Sequence, residues 1–131
     1  MAGPVSDAAV RISTTELKKV LSYEPQDLTV SVEAGLPWPE FAAILAANHQ
    51  MVPLDPPFAA GATVGGVVAA NSNGPRRRLY GTARDLVIGM KFATLEGKIV
   101  QSGGMVVKNV AGLDMAKLMI GSFGTDRKSV V

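Results

Sequence analysis

The residue types best suited to binding chemistry lie in one glycine- and proline-rich stretch in the middle of the chain, from Pro53 to Gly81. Its prolines fix the backbone, and its glycines let main-chain N–H groups approach a ligand without a Cβ in the way. A glycine-rich turn that opens a helix also presents unpaired N–H groups and positive dipole to a phosphate. The side chains of Thr63 and of Asn71 to Asn73 add hydrogen bonds for a polar heterocycle. The pattern therefore predicts a site for a phosphate-bearing small molecule, although it is neither a Walker loop nor a Gly-x-Gly-x-x-Gly fingerprint.

An alternative explanation applies to the segment from Ala62 to Gly66 within this stretch. The order Ala-Thr-Val-Gly-Gly also suits a tight turn that leads into a close-packed helix, with no ligand involved. Spacing alone supports the two interpretations about equally.

Other reactive residue types are scarce. The chain has no cysteine, which excludes disulfides, thiol nucleophiles and thiolate metal sites, and His49 is its single imidazole. His49 lies at a predicted helix end, where a histidine commonly caps carbonyls or faces water. Asp55 and Asp85 are interpreted as capping or turn residues rather than bases. The sequence therefore names no catalytic residue and predicts no metal site.

Charge and composition describe an ordinary globular domain. The chain has 131 residues, 47% of them hydrophobic, and 13 basic against 11 acidic residues. This small excess does not indicate a nucleic-acid partner. Its one cluster, Arg76 to Arg78, is interpreted as a solvated loop, with the alternative that Arg77 neutralises a cofactor phosphate or contacts a subunit. No apolar run approaches the roughly 20 residues of a membrane span, so we expect a soluble or peripherally attached cytoplasmic protein.

Patterns on both sides of the central stretch predict an α+β fold in one unit. Alternation from Leu28 to Glu33 predicts a strand, and Pro37 to Asn48 has the start signal and apolar spacing of a helix. Two extended segments, Leu86 to Leu95 and Lys98 to Gln101, flank a Glu-Gly turn and predict a β-hairpin. A short helix is expected from Asp114 to Met119.

The segment before the first strand permits two structures. Ser13 to Glu16 has the spacing of a helix capping box, whereas Val20 to Tyr23 could form a strand that turns back through Glu24 to Asp27. Propensity alone slightly favours the helix.

Several short motifs follow one another in a fixed order along the chain. They are Glu33-Ala34-Gly35, Pro53-x-Asp55-Pro56-Pro57, Ala62-Thr63-Val64-Gly65-Gly66, Gly74, Arg77, Tyr80-Gly81, Asp85, Gly89, Gly97, Lys108-Asn109-Val110-Ala111-Gly112-x-Asp114 and Gly121-Ser122-x-Gly124-Thr125. From about Val10 to Thr125 this series resembles the second half of FAD-binding domains of the p-cresol methylhydroxylase type. Within that family it is most similar to bacterial glycolate oxidase FAD-binding subunits. Each piece is weak evidence, but the complete series in order is specific.

The resemblance implies a fold and domain limits. It implies the second subdomain of such a domain, a mixed sheet with flanking helices, truncated at both ends. Residues 1–125 would be the partial FAD-binding domain, and Asp126 to Val131 would be a tail foreign to the fold. The resemblance also favours a strand over a helix for Lys18 to Ser22. Lys108 to Asp114 would form a structural turn and helix start near the cofactor.

The resemblance further implies FAD as the cofactor. The stretches around Pro53 to Pro57 and Ala62 to Gly66 would line its pyrophosphate and flavin ring through backbone N–H groups. Asn71 to Gly74 would continue that wall, and Tyr80-Gly81 would approach the polar edge of the ring. The implied cofactor-binding residues are Pro53, Asp55, Pro56, Ala62, Thr63, Val64, Gly65, Gly66, Asn71, Ser72, Gly74, Arg77, Tyr80 and Gly81.

By resemblance, the activity would be FAD-dependent oxidation of a small 2-hydroxy acid, glycolate to glyoxylate. The partners would be a second flavoprotein subunit and an iron–sulfur subunit, in the cytoplasm or on the inner face of the plasma membrane. The alternatives are an FAD-linked oxidase of another substrate and a flavin-free assembly module of the same fold. Because the earlier glycine-rich loop of the family is absent, this chain alone is expected to be inactive and to bind FAD weakly.

Overall fold

The first pair of strands forms a hairpin in the computed structural model, which describes residues 10–103 and 115–123. Strand β1 (Val20–Glu24) pairs antiparallel with β2 (Thr29–Val32), and a 3-10 turn over Pro25–Asp27 joins them. The turn ends at Leu28, whose backbone is left-handed with φ 55°. The strand interpretation of this segment is therefore confirmed. The capping-box helix is wrong, because its residues precede the hairpin as a turn in which Leu17 N–H donates to Thr14 O.

Helix α1 (Trp38–Ala46) follows β2 and supplies one wall of the core. Pro37 at its N-cap fixes the entering backbone. Its buried residues, Trp38, Phe41 and Leu45, recur at helical spacing, and the rings of Trp38 and Phe41 meet edge to face with centroids 5.6 Å apart. The helix ends before exposed His49, which has φ 56°. The predicted helix is thus confirmed to within two residues at its C-terminus.

The predicted second hairpin is also present. Strand β3 (Gly89–Ala93) pairs antiparallel with β4 (Ile99–Gly103), and Gly97 turns the chain with φ 80°. The first predicted strand begins too early, because Ala83–Leu86 form the short helix α4. Met90 and Phe92 point into the core and Lys91 points outward, the alternation of a half-buried strand.

The remaining helical elements of the described residues are α2 (Val64–Ala69), α3 (Arg77–Tyr80), α5 (Met115–Met119) and a 3-10 turn over Ala59–Gly61. The amide of Ala116 in α5 donates to the buried hydroxyl of Ser102 on β4 over 3.2 Å, which ties the two elements together. The predicted helix start at Asp114, the turn from Lys108 and the tail from Asp126 lie outside the described residues.

One apolar core joins these elements, and its most deeply buried large side chains are Phe92, Leu36 and Val67. The α+β class is confirmed. In the described residues the strands form two separate antiparallel pairs, β1–β2 and β3–β4. No helix in the described part of the chain is long and apolar enough to span a membrane.

Candidate functional site

The start of α2 is a tightly paired turn. Thr63 is its N-cap, and the Thr63 hydroxyl accepts a hydrogen bond from Gly66 N–H at 3.1 Å. The amide of Val64 donates to Leu36 O at 2.9 Å, and the amide of Gly65 donates to Ala34 O at 2.8 Å. The N–H groups of Val64, Gly65 and Gly66, which we expected to face a phosphate, therefore already have protein acceptors.

Gly65 and Gly66 are adjacent in sequence but have different surroundings. A Cβ on Gly65 would lie 2.7 Å from Ala34 Cβ and 2.9 Å from Ala34 O, closer than real side chains come. Among the described residues a Cβ on Gly66 would meet only Thr63 Oγ1, at 3.1 Å, and Gly66 is exposed. Gly65 is therefore glycine because α2 packs directly on the end of β2. At Gly66 only the Thr63 hydroxyl among the described residues would crowd a side chain, and the exposed position leaves the backbone accessible to a ligand.

A second close approach joins Asp55 to Gly74. A Cβ on Gly74 would overlap the carboxylate of Asp55, so only glycine fits there. Asp55 Oδ1 is buried and accepts no hydrogen bond from the described residues, so the expected capping role is not seen at this oxygen. Pro56 beside it is buried and Pro53 is half-buried. The structure thus brings the proline-rich segment and the loop after α2 together around one unpaired carboxylate oxygen.

The loop that follows α2 is braced by its own side chains. Asn71 has a left-handed backbone with φ 49°. The side-chain amide of Asn73 donates to Asn71 O at 2.8 Å and to Asn71 Oδ1 at 3.0 Å, while Asn73 Oδ1 accepts from Ala83 N–H at 3.2 Å. Asn73 therefore positions the loop, and it leaves exposed Asn71 and half-buried Ser72 at its surface. The polar composition of the stretch predicted hydrogen bonding but not this division of roles.

Arg77 and Tyr80 lie on α3, where no residue is buried. A depression of about 440 Å³ is lined by Asn73, Gly74, Pro75, Arg77 and Arg78, so Arg77 shares one surface with the braced loop. Gly81 ends α3 with φ 86°, a conformation that suits glycine.

Asp85 caps α4, the helix that follows this region. Its carboxylate Oδ2 accepts from Thr82 N–H at 2.7 Å and contacts the Thr82 hydroxyl at 3.1 Å, which forms a capping box at the start of α4. The hydrogen bond from the Thr82 backbone is the main reason that the pKa of Asp85 lies below its usual value. The predicted capping role of Asp85 is confirmed.

The predicted site residues fall into two groups, one at each end of α2. Ala62 to Gly66 lie at its start, and the braced loop with Asp55 and Arg77 lies beyond its end. A helix of 6 residues is about 9 Å long. A ligand that contacts both groups would therefore have to be extended. The sequence did not predict the role of Ala34, whose carbonyl accepts from Gly65 N–H and whose methyl group contacts Gly65. The one sequence feature that pointed to this position was the Glu33-Ala34-Gly35 motif.

Residues 1–103 match a family of proteins described as FAD binding domains. The chain belongs to this family. Its cofactor is FAD, as the ordered motifs predicted.

Curated relatives agree with this assignment. The chain is 42% identical over 106 residues to glycolate oxidase subunit GlcE of Escherichia coli strain K12, which is 80% of this chain and 30% of that protein. It is 33% identical over 109 residues to glycolate oxidase subunit GlcD of Bacillus subtilis strain 168, covering 83% of this chain and 23% of that protein. It is 36% identical over 116 residues to a mitochondrial D-lactate dehydrogenase (cytochrome) of Arabidopsis thaliana, covering 88% of this chain and 20% of that protein. The chain thus spans less than a third of the length of these relatives.

Solved structures show the same fold. An alkyldihydroxyacetonephosphate synthase superposes with a TM-score of 0.78 at 24% identity, over 97% of this chain and 24% of that one. A second crystal form of a protein with the same name gives 0.73 over 88% of this chain. The predicted fold is therefore confirmed.

Part of the site fits FAD, a long molecule with a planar ring and a pyrophosphate. The open side of Gly66 leaves room for a planar group against the backbone, and Thr63, Asn71, Ser72 and Arg77 supply polar atoms at both ends of α2. The paired first turn of α2 does not offer a nest of free N–H groups for phosphate. Among the described residues, no group of three or more His, Cys, Asp or Glu side chains lies close enough together to hold a metal ion.

Proposed function

We propose that this chain supplies one wall of the FAD site in an oxidoreductase that converts glycolate to glyoxylate, as a subunit of a glycolate oxidase complex. The observation that carries the proposal is Gly66, an exposed helical glycine at which an added Cβ would meet only Thr63 Oγ1 among the described residues, in a chain of the FAD-binding family. Bound FAD would supply the hydride acceptor for such an oxidation. The protein's own contribution would be to bind and orient the cofactor.

Each group of residues has a proposed part in binding. Ala62 to Gly66 would pack against the flavin ring, with contact centred on exposed Gly66. Pro53, Asp55 and Pro56 would hold the entering backbone, and Asn71, Ser72 and Gly74 would continue the wall. Arg77 is exposed and would offset phosphate charge, and Tyr80 and Gly81 would approach the polar edge of the ring.

Two kinds of relative support a 2-hydroxy acid as the substrate. Glycolate and D-lactate, which their names contain, are both small 2-hydroxy acids. The greater identity to a glycolate oxidase subunit favours glycolate. The word subunit in that name favours assembly in a complex of several subunits. A second flavoprotein subunit and an iron–sulfur subunit, in the cytoplasm, complete the proposed complex.

A graft tests the proposal. Residues 10–123 of this chain would replace the matching segment of Escherichia coli GlcE, and the purified hybrid would be assayed for flavin absorption and for oxidation of glycolate and D-lactate. We expect a yellow hybrid that supports glycolate oxidation in its complex. A folded, colourless hybrid would contradict the proposal and favour a flavin-free assembly module. A yellow hybrid that supports oxidation of D-lactate but not of glycolate would reassign the substrate.

A further inference from the structure

The arginines around α3 form a positively charged surface, and no acidic side chain of the described residues pairs with Arg76, Arg77 or Arg78. From Gly74 to Leu86 the sequence carries four arginines and one aspartate, a balance of +3, whereas the whole chain carries +2. That aspartate, Asp85, is engaged by the Thr82 amide as a helix cap. Arg76, Arg77 and Arg78 are all exposed, and none forms an ion pair with any acidic side chain in residues 10–103 and 115–123. The charge of this surface is therefore available to an external partner.

An apolar groove adjoins these arginines. It has a volume of about 170 Å³ and lies between α1 and the segment after it, with Trp38, Phe41, Leu45, Met51 and Leu54 among its lining residues. Arg76 stands at its rim, where the guanidinium Nη1 lies 3.6 Å from Met51 Sδ. Met51 is 55% exposed, so this part of the groove is open to solvent. The groove is of a size that admits one large apolar side chain.

We propose that this surface, the groove together with Arg76 and Arg78, docks an acidic protein segment that carries one large apolar side chain. Protein interfaces commonly place an apolar anchor in a pocket and surround it with charged groups, and arginine is enriched there. A guanidinium binds a carboxylate through two parallel hydrogen bonds, which a lysine does not do. The apolar anchor would enter the groove, and the flanking carboxylates would pair with the arginines.

The shape of the surface favours an acidic protein segment over an anionic lipid surface or a single-stranded nucleic acid. A helix that binds lipid lays a long apolar face on the membrane, but α3 has 4 residues and is about 6 Å long. A single-stranded nucleic-acid site combines positive charge with several stacking aromatics, and Tyr80 is the one exposed aromatic residue on α3. A concave groove for one side chain beside arginines matches neither pattern.

The test uses the full chain and a fluorescent peptide in which Glu residues flank a single central Phe. We expect saturable binding that weakens as salt is raised, because exposed charges are screened. The double variant Arg76→Gln/Arg78→Glu should weaken binding about tenfold or more, which corresponds to about 1.4 kcal/mol. Ala42→Phe, at an exposed residue that lines the groove, should weaken it independently. Lys91→Glu, an exposed charge reversal on β3, is the matched control and should leave binding unchanged.

Peptide variants complete the test. Replacement of the central Phe by Ala and of the Glu residues by Gln should each reduce binding of the wild-type chain. Absence of peptide binding would overturn the proposal, as would binding that is indifferent to both the arginine and the groove variants. Arginine-dependent binding to phosphatidylserine vesicles or to single-stranded DNA, without peptide binding, would assign the surface to a different partner and also overturn it.

Discussion

Helix α2 buries Val64, Val67 and Val68, whereas no residue of helix α3 is buried. Both helices belong to the same glycine- and proline-rich stretch, and the sequence predicted one continuous binding surface there. In α2 the first-turn amides are paired and one glycine is required by contact with β2. In α3 the side chains of Arg77, Arg78, Leu79 and Tyr80 face solvent. Substitutions at the packed positions of α2 should therefore change stability, and substitutions in α3 should change binding.

The largest expected effect is that of Gly65→Val. The new Cβ would lie 2.7 Å from Ala34 Cβ, so α2 would have to move away from the end of β2. Overpacking of this kind costs about 1–3 kcal/mol in the free energy of unfolding. Denaturant unfolding of the full chain measures it. Equal stability of the variant and the wild type would show that α2 does not pack as described.

Loss of the α2 cap should have a smaller effect. Thr63→Ala removes the hydroxyl that accepts from Gly66 N–H, and lost N-caps cost about 0.5–2 kcal/mol. Thr63→Ser keeps an acceptor at the same place and serves as the control. If both variants unfold at the same denaturant concentration, the hydroxyl is not a working cap.

The cap of α4 should make stability depend on pH. The pKa of Asp85 is lowered from 3.8 in the folded chain, chiefly by the Thr82 amide, so the carboxylate stabilises the fold above its unfolded pKa. This contribution is lost as the pH falls through the lower, folded value. Asp85→Asn should therefore lower the melting temperature at neutral pH, and the difference from wild type should shrink in acid. Glu96→Gln, on the turn between β3 and β4, is the control, and a difference independent of pH would count against the cap.

The smallest expected effect on stability is that of Leu79→Ala in α3. Leu79 is 82% exposed, so its truncation removes little buried surface, and such changes usually stay within about 0.5 kcal/mol. Thermal unfolding of the variant beside wild type measures the change. A loss as large as that of Gly65→Val would show that α3 is packed against the fold and would remove the contrast between the two helices.

Local patterns predicted the elements well where burial and turn chemistry agreed. Trp38, Phe41 and Leu45 repeat at helical spacing because they face one core, and the glycine at position 97 turns a hairpin with positive φ. The capping-box spacing at Ser13 to Glu16 failed because strand pairing of Val20 with Val32 outweighs a local propensity. Similarly, the strand predicted from Leu86 begins later because the Thr82–Asp85 box favours a helical turn first.

The site was harder to predict, because its geometry depends on contacts distant in sequence. Nothing near Gly65 in sequence shows that Ala34 lies against it, and nothing near Gly74 shows that Asp55 does. Both glycines therefore resembled ligand contacts although the protein itself fills the space beside them. Gly65 and Gly66 differ only in what lies beside them in the folded chain, Ala34 for Gly65 and the Thr63 hydroxyl for Gly66, and their sequence order does not show this.

The most direct test of the proposed cofactor wall is flavin content in the GlcE hybrid carrying Gly66→Val. Among the described residues the new side chain meets only Thr63 Oγ1, from which its Cβ would lie 3.1 Å, so the hybrid should lose no more stability than loss of the α2 cap costs, about 0.5–2 kcal/mol, and should still fold. It should nevertheless be colourless, because the branched side chain occupies the space proposed for the cofactor. A Gly66→Val hybrid that folds and retains its full flavin absorption would contradict the account.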